Sequence, residues 1–449
     1  MATGQQIVPP AIYPPSREPG LKESLRAVRT VVDGWPAQVF TGGIYRSRLP
    51  GAPLIVSDPD LAHEVLVDRA DEFPHGELFN RLFRPVWGRG IFVSEGHEWR
   101  WQRRAAAPAF RPSAMHALAP VMSAAAEGVA ARWTNGVPVN LHDEMRRLTL
   151  QVLFDAVLSG GADFPDKAET SRHVHRFLDG VGQFSLRDFL PIPERWRGST
   201  AGRGSADAAY LRAGVDAMVS RRRALAEQPD DLVTMLMQAA DPETGQRMDD
   251  ELLRDNLLGF IAAGTDTSSF ALSWALWLVA HHPEVEGRLL AEIEAVAGQG
   301  PIGGTHVGQL IFTRQVIQET QRLYPGAVAL VRTAAADCEL GGHKVRKGAL
   351  VQIATYALHR RADLWSHPER FDPDRFSGEK PAAAIYHPFG AGPRICMGAA
   401  FAMTEMVASL ATLVRAVRLA PDPARPVEIG VRLGALVGQG GMWMLPYRR

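Results

Sequence analysis

Apolar residues along this chain recur mostly at helical spacing. The repeat runs from His97 to about Arg322, with breaks near Pro138, Pro165, Pro191 to Gly204, Pro229 and Pro242. Its longest unbroken stretch, Asp249 to His281, predicts one long, largely apolar helix. Ahead of this region, Leu21 to Trp35 reads as a short helix. Tyr45 to Leu49 and Leu54 to Ser57 read as strands about a Pro50-Gly51 turn. Asp58 is placed to cap a helix with Pro59 at its first position, running to about Glu72. Periodicity fails from Phe73 to Gly96, which reads as an apolar, aromatic loop. Beyond Arg322, Cys338 to Leu340 and His343 to Ile353 read as strands joined through Gly341 and Gly342. Trp365 to Pro388 has little periodicity and reads as a long irregular segment, a feature that is uncommon and often functional. A helix over Ala399 to Arg415 and a strand-rich tail close the chain.

These elements predict a mainly α fold with small β-sheets (α+β). After an extended, proline-rich segment over 1–20, residues 21–449 form one domain around a single core, crossed by the long helix. No internal repeat breaks this picture.

Composition narrows the function. Lys+Arg and Asp+Glu both number 49, which argues against a general nucleic-acid binder. Two cysteines exclude a disulfide scaffold and an iron–sulfur cluster, and fit a reducing cytoplasm. The N-terminus has no signal-peptide pattern and no membrane anchor. Leu257 to Ala280 is apolar enough to raise a transmembrane reading. Asp266 at its centre makes that expensive, and a core helix explains the same apolarity.

Two segments carry candidate chemistry. In Phe389-Gly390-Ala391-Gly392-Pro393-Arg394-Ile395-Cys396-Met397-Gly398, glycines permit tight bends and close approach of backbone to a flat partner. A cysteine just before a helix has its thiolate favoured by the helix dipole, and Arg394 adds positive charge. A buried free cysteine is the ordinary alternative. In the long helix, Ala263-Gly264-Thr265-Asp266-Thr267 gathers groups that weaken and bend a helix, so it reads either as a kink or as a functional site.

Together these residues resemble the cytochrome P450 superfamily. The first segment is similar to its F-x-x-G-x-R-x-C-x-G heme-binding loop, and the second to its A/G-G-x-D/E-T pattern. The resemblance implies heme b, with Cys396 as the iron ligand, Phe389 beside the sulfur, Gly398 completing the loop and Arg394 on a heme propionate. It places Gly264 over the distal heme face, opening a groove for dioxygen, with Asp266 and Thr267 as an acid–alcohol pair delivering protons. Met397 stands where the family usually has an apolar residue. Glu319-Thr320-Gln321-Arg322 matches the family's E-x-x-R, with Arg375 as the third member of a buried network supporting the cysteine loop. Trp99 and Arg103, four residues apart, and Arg332 match further propionate-binding positions. Arg100, Arg104 and Arg111 form either a basic patch for a redox partner or an ordinary solvated face.

By the same resemblance, Phe79, Phe83, Trp87, Ile261, Ala262, Ala327, Val328, Leu330, Leu436 and Val437 border the substrate or belong to the core. If they border it, the substrate is an apolar small molecule. The implied activity is monooxygenation using O2: hydroxylation, epoxidation or dealkylation. Electrons are expected from a ferredoxin or flavodoxin and its NAD(P)H-dependent reductase, in a monomeric, cytoplasmic, bacterial-type enzyme. A peroxide-using or substrate-rearranging thiolate-heme enzyme and a non-catalytic heme protein are the alternatives. The acid–alcohol pair speaks against both.

Overall fold

A computed structural model describes residues 9–12, 31–46, 52–156, 166–180, 205–229, 231–432 and 434–449. Its helices, in chain order, begin with α1 (Pro59–His63), α2 (Gly76–Trp87), α3 (Gly96–Ala106), α4 (Pro112–Ala117) and α5 (Ala119–Arg132). There follow α6 (Leu141–Ala156), α7 (Lys167–Gly180), α8 (Ser205–Ala224), α9 (Leu232–Gln238) and the 31-residue α10 (Asp250–Ala280). The series ends with α11 (Pro283–Ala297), α12 (Gly304–Gln309), α13 (Ile311–Leu323), α14 (Thr355–Leu358) and α15 (Ala399–Ala416).

The strands make small peripheral sheets. β1 (Ile44–Arg46), β2 (Leu54–Val56), β7 (Leu350–Ile353) and β4 (Leu330–Thr333) form one sheet in that spatial order, with β2 and β7 parallel. β3 (Val139–Asn140), β11 (Trp443–Arg448) and β8 (Val417–Pro421) form another. β5 (Cys338–Leu340) pairs with β6 (His343–Val345), and β9 (Glu428–Arg432) with β10 (Ala435–Gln439).

The long helix forms where periodicity places it. The Asp249 carboxylate caps its start by accepting the Leu252 N–H at 2.7 Å. It is apolar nearly all round because α6 and α15 pack against it in the main core. At the chain's start the Asp58 side chain accepts from the Asp60 and Leu61 N–H groups, with Pro59 at the first helical position. α15 is long and apolar enough to cross a bilayer, but it too lies mostly inside the fold.

Three expectations change. The aromatic segment after Phe73 contains a full helix, α2, rather than a loop throughout. Leu78, Phe79, Leu82, Phe83 and Val86 stand at helical spacing. Pro85 obscures them without breaking the helix, because it sits in the last turn before Gly88 (φ +56°). The strand expected over His343 to Ile353 is split at Gly348 (φ +80°) into β6 and β7. Of the helix expected over Leu21 to Trp35, the described part is a single 3₁₀ turn, Val31–Gly34. The breaks expected at Pro165 and over Pro191 to Gly204, and most of the 1–20 segment, lie outside the described residues. Pro9–Ile12 is held to the core: Tyr324 donates its hydroxyl to Pro10 O at 2.9 Å, and the Ile12 N–H donates to the Tyr356 oxygen at 3.0 Å.

Candidate active site

The cysteine loop is a tight turn pinned to the fold. The Cys396 N–H donates to Phe389 O at 2.9 Å, and Gly390 (φ +77°) donates to His387 O. Gly392 (φ +69°) lies so close to the turn after α1 that an added Cβ would come 2.0 Å from Leu66 O, so only glycine fits there. Gly398 caps α15, and its N–H points at the Cys396 sulfur. Burial pushes the Cys396 thiol up, while that N–H and the charge of Arg103 pull it down. Yet Cys396 retains exposed surface.

The same holds on α10. Its neighbours are buried, but Ala263 and Thr267, one turn apart, are exposed, and Gly264 is partly so. Thr267 Oγ1 donates to Ala263 O at 2.8 Å. An added Cβ on Gly264 would meet Leu153 Cδ1 of α6 at 3.3 Å. Glycine at 264 therefore serves close packing against α6, and Ala263 carries the open face beside Thr267. Helical spacing from Thr267 would have identified Ala263.

Asp266 points elsewhere. It is buried and accepts from Arg146 Nε of α6 at 2.9 Å, and Arg146 Nη2 also lies 3.1 Å from Asp179 at the half-exposed end of α7. The acid expected beside the reacting centre is thus tied through one guanidinium to a surface carboxylate. Arg146 lies 120 residues from Asp266, and no local sequence signal joins them.

On the cysteine side, positive charge gathers. Arg103 is lowered by burial and feels Cys396. Arg332 is lowered to about 10 by burial and by repulsion from Arg394. Arg394 is lowered by burial, held by Glu95 and by Ser94 O at 3.0 Å, and lies 4.2 Å over the Trp99 ring. Burial, Arg332 and Arg394 keep His75 neutral. Among the described residues Arg394 pairs with Glu95, whereas Arg103 and Arg332 have no ion pair. Such an excess of buried cations fits a flat group with two carboxylates on one edge, with the Cys396 sulfur free to bind its metal. His75 and Glu95 are not evident from sequence; only their nearness to Arg332 and Arg394 marks them.

Glu319 and Arg322 are fully buried. Arg322 donates to both Glu319 oxygens at 2.7 and 2.8 Å, and to the carbonyls of His359, Pro368 and Arg370. Arg375 Nε reaches Glu319 at 3.3 Å. This network clasps the irregular segment before the cysteine loop.

The other expected positions divide. Phe79, Phe83, Ala327 and Leu330 keep part of their surface open. Trp87, Ile261, Ala262, Val328, Leu436 and Val437 are buried apolar packing. On α10 the reason is rotational: the open face is that of Ala263 and Thr267, away from Ile261 and Ala262. Phe79, Phe83, Trp87 and the exposed Phe92 form one aromatic cluster with centroids 4.5–6.0 Å apart. The basic patch does not form as one: Arg100 pairs with Asp71, and Arg104 with Asp241 and Glu243.

The sequence profile of the family described as Cytochrome P450 matches residues 37–437. The chain is 32% identical over 393 residues to cyclooctat-9-en-7-ol 5-monooxygenase of Streptomyces melanosporofaciens, covering 85% of this chain and 83% of that one. It is 29% identical to pentalenene oxygenase of Streptomyces avermitilis, covering 86% and 87% respectively. Among solved structures, the heme domain of cytochrome P450DA superposes with a TM-score of 0.78 at 26% identity, covering 91% of this chain and 90% of that one. The chain belongs to the cytochrome P450 family and is a heme-thiolate monooxygenase with heme b as its cofactor.

Proposed function

We propose that this monooxygenase inserts one oxygen atom of O2 into an apolar hydrocarbon or alkenol, with Asp266 and Thr267 supplying protons and Cys396 binding the iron. Bound heme supplies the electron chemistry that activates dioxygen, favoured by a thiolate ligand. The protein's residues do the rest. Arg103, Arg332 and Arg394 would hold the two propionates, with His75 as a neutral neighbour and the Trp99 ring beneath Arg394. The Gly398 N–H and the start of α15 favour the thiolate. Thr267 presents its hydroxyl on the open face, anchored to Ala263 O. Asp266, one residue away, is the acid of the pair, and the Arg146–Asp179 link leads from it toward solvent. Glu319, Arg322 and Arg375 brace the cysteine loop.

The observation that carries this reading is the open surface kept by Cys396 in its glycine-rich loop and by Ala263 with Thr267 on the otherwise buried α10. The aromatic cluster at Phe79, Phe83 and Phe92 supports an apolar substrate, as do the relatives' names, which denote an alkenol and an alkene. On this reading the electrons come from a ferredoxin or flavodoxin and its NAD(P)H-dependent reductase, and the enzyme is a cytoplasmic monomer. The test is Thr267→Ala with cyclooctene as a surrogate alkene and a plant-type ferredoxin system. Product per NADPH should fall sharply while NADPH oxidation continues. Unchanged product per NADPH would remove Thr267 from its role.

A further inference from the structure

Glu95 has no part in the oxygenation chemistry, yet it sits among the groups that surround the cysteine. It precedes Gly96 (φ +55°) at the start of α3, and its side chain caps nothing there. Its carboxylate instead pairs with Arg394 of the cysteine loop through Oε2 and accepts the His75 N–H through Oε1 at 2.9 Å. Both partners are fixed in place. The His75 carbonyl accepts the Thr333 hydroxyl of β4 at 2.8 Å, and the Pro74 carbonyl accepts the Thr333 N–H at 2.8 Å. Gly76 (φ +84°) lies so close that an added Cβ would come 2.3 Å from Thr333 Oγ1. Arg394 also donates to Ser94 O at 3.0 Å and lies 4.2 Å over the Trp99 ring.

An exposed ion pair on mobile side chains changes little. Here the side chains of Arg394 and Glu95 keep only 14% and 27% of their surface open, and both are held by further contacts. The charge of Glu95 reaches Arg332 as well as Arg394. The other acid that Arg394 feels, Asp71, is 94% exposed and turned to Arg100, so water and salt screen it. Among the described residues, Glu95 is the one carboxylate paired with any of Arg103, Arg332 and Arg394. Reduction of a heme adds one negative charge to its site. A fixed negative charge beside that site opposes the step, and burial magnifies the opposition.

We propose that Glu95 is a positioning residue that lowers the reduction potential of this enzyme by fixing Arg394 and offsetting its charge. The inference rests on the reading that Arg103, Arg332 and Arg394 hold the heme propionates. With Glu95 in place, that edge is less positive than three arginines alone would make it, and the ferric form is favoured. One electron enters the heme in the step concerned, and no bond within the protein forms or breaks. At an effective dielectric of about 20, a unit charge removed from such a site moves a one-electron equilibrium about tenfold. The structural alternative is that Glu95 is only a strut, tying the cysteine loop to the start of α2. A strut predicts a change in stability with no change in potential.

The test uses the holoenzyme and needs no substrate. Spectroelectrochemical titration measures the midpoint potential of wild type, Glu95→Gln and Glu95→Asp. Glu95→Gln keeps an oxygen for the His75 N–H and removes the charge. It should raise the ferrous-to-ferric ratio at a given applied potential about tenfold, a positive shift of about 59 mV for one electron. Glu95→Asp keeps the charge and should stay closer to wild type. Heme content and the denaturant midpoint, read on the same samples, separate folding from tuning. An unmoved or lowered potential in Glu95→Gln, or equal shifts in both variants, overturns the proposal. Loss of heme or of the fold in Glu95→Gln overturns it in favour of the strut. Arg332→Gln tells the two readings apart. If it lowers the potential while Glu95→Gln leaves it unmoved, this inference alone fails. If neither variant moves the potential, the placement of the arginines at the heme edge fails with it.

Discussion

Replacing Arg322 with alanine should unfold the support of the cysteine loop at a calculable cost. Arg322 is fully buried and donates five hydrogen bonds: two to Glu319 and one each to the His359, Pro368 and Arg370 carbonyls. Removing it leaves the Glu319 carboxylate, itself fully buried, with Arg375 at 3.3 Å and the Asp372 N–H at 2.9 Å. Breaking a buried pair from one side costs about 3–5 kcal/mol. The three stranded carbonyls each add roughly 1 kcal/mol where water does not reach them. Against a total stability of about 5–15 kcal/mol, the loss takes a third or more. Denaturant titration of the holoprotein reads it as a lower midpoint, and the heme absorption shows whether the cofactor is lost first. Arg322→Lys keeps a charge but not the planar fork, so it should fall between the two. An Arg322→Ala protein within about 1 kcal/mol of wild type, with its heme retained, would refute the bracing role.

Other outcomes follow from the same geometry. Asp266→Asn and Arg146→Gln should each lower product per NADPH, and the double variant should add little. Fully additive losses would show that the buried pair does not act as a unit. Glu405→Gln should be more stable than wild type at neutral and alkaline pH. Between the ordinary 4.5 and about 8, the unfolded chain ionises this carboxyl and the fold does not. Wild type therefore loses about 1.4 kcal/mol per pH decade, to a ceiling of about 5 kcal/mol above that range, and nothing below pH 4.5. A wild-type–variant stability difference that does not grow with pH in denaturant titrations contradicts this. Arg332→Ala should speed heme transfer to apomyoglobin, and an unchanged transfer rate would count against propionate binding there.

Much of this was legible in the sequence because it is local. The capped long helix, the glycine-rich cysteine loop and the Glu319–Arg322 spacing are each written within a dozen residues or one apolar period. What was missed is long-range or rotational. Arg146 meets Asp266 only because α6 packs on α10, and Glu405 meets Ser268 only because α15 does. The resemblance offers Ile261 and Ala262 as substrate-facing or core; a helix turns about 100° per residue, which buries them and opens Ala263. The charges of Arg100 and Arg104 were visible; their acidic partners, Asp71 and Asp241, were not.

The central claim is that Cys396 binds heme iron as a thiolate. The direct measurement is the absorption spectrum of the reduced, carbon monoxide-bound holoprotein, recorded for wild type and Cys396→Ser. The account predicts the strongly red-shifted band of thiolate ligation in wild type and its loss in the variant. A wild-type band at the shorter wavelength typical of neutral thiol or histidine ligation, unchanged by Cys396→Ser, would contradict it.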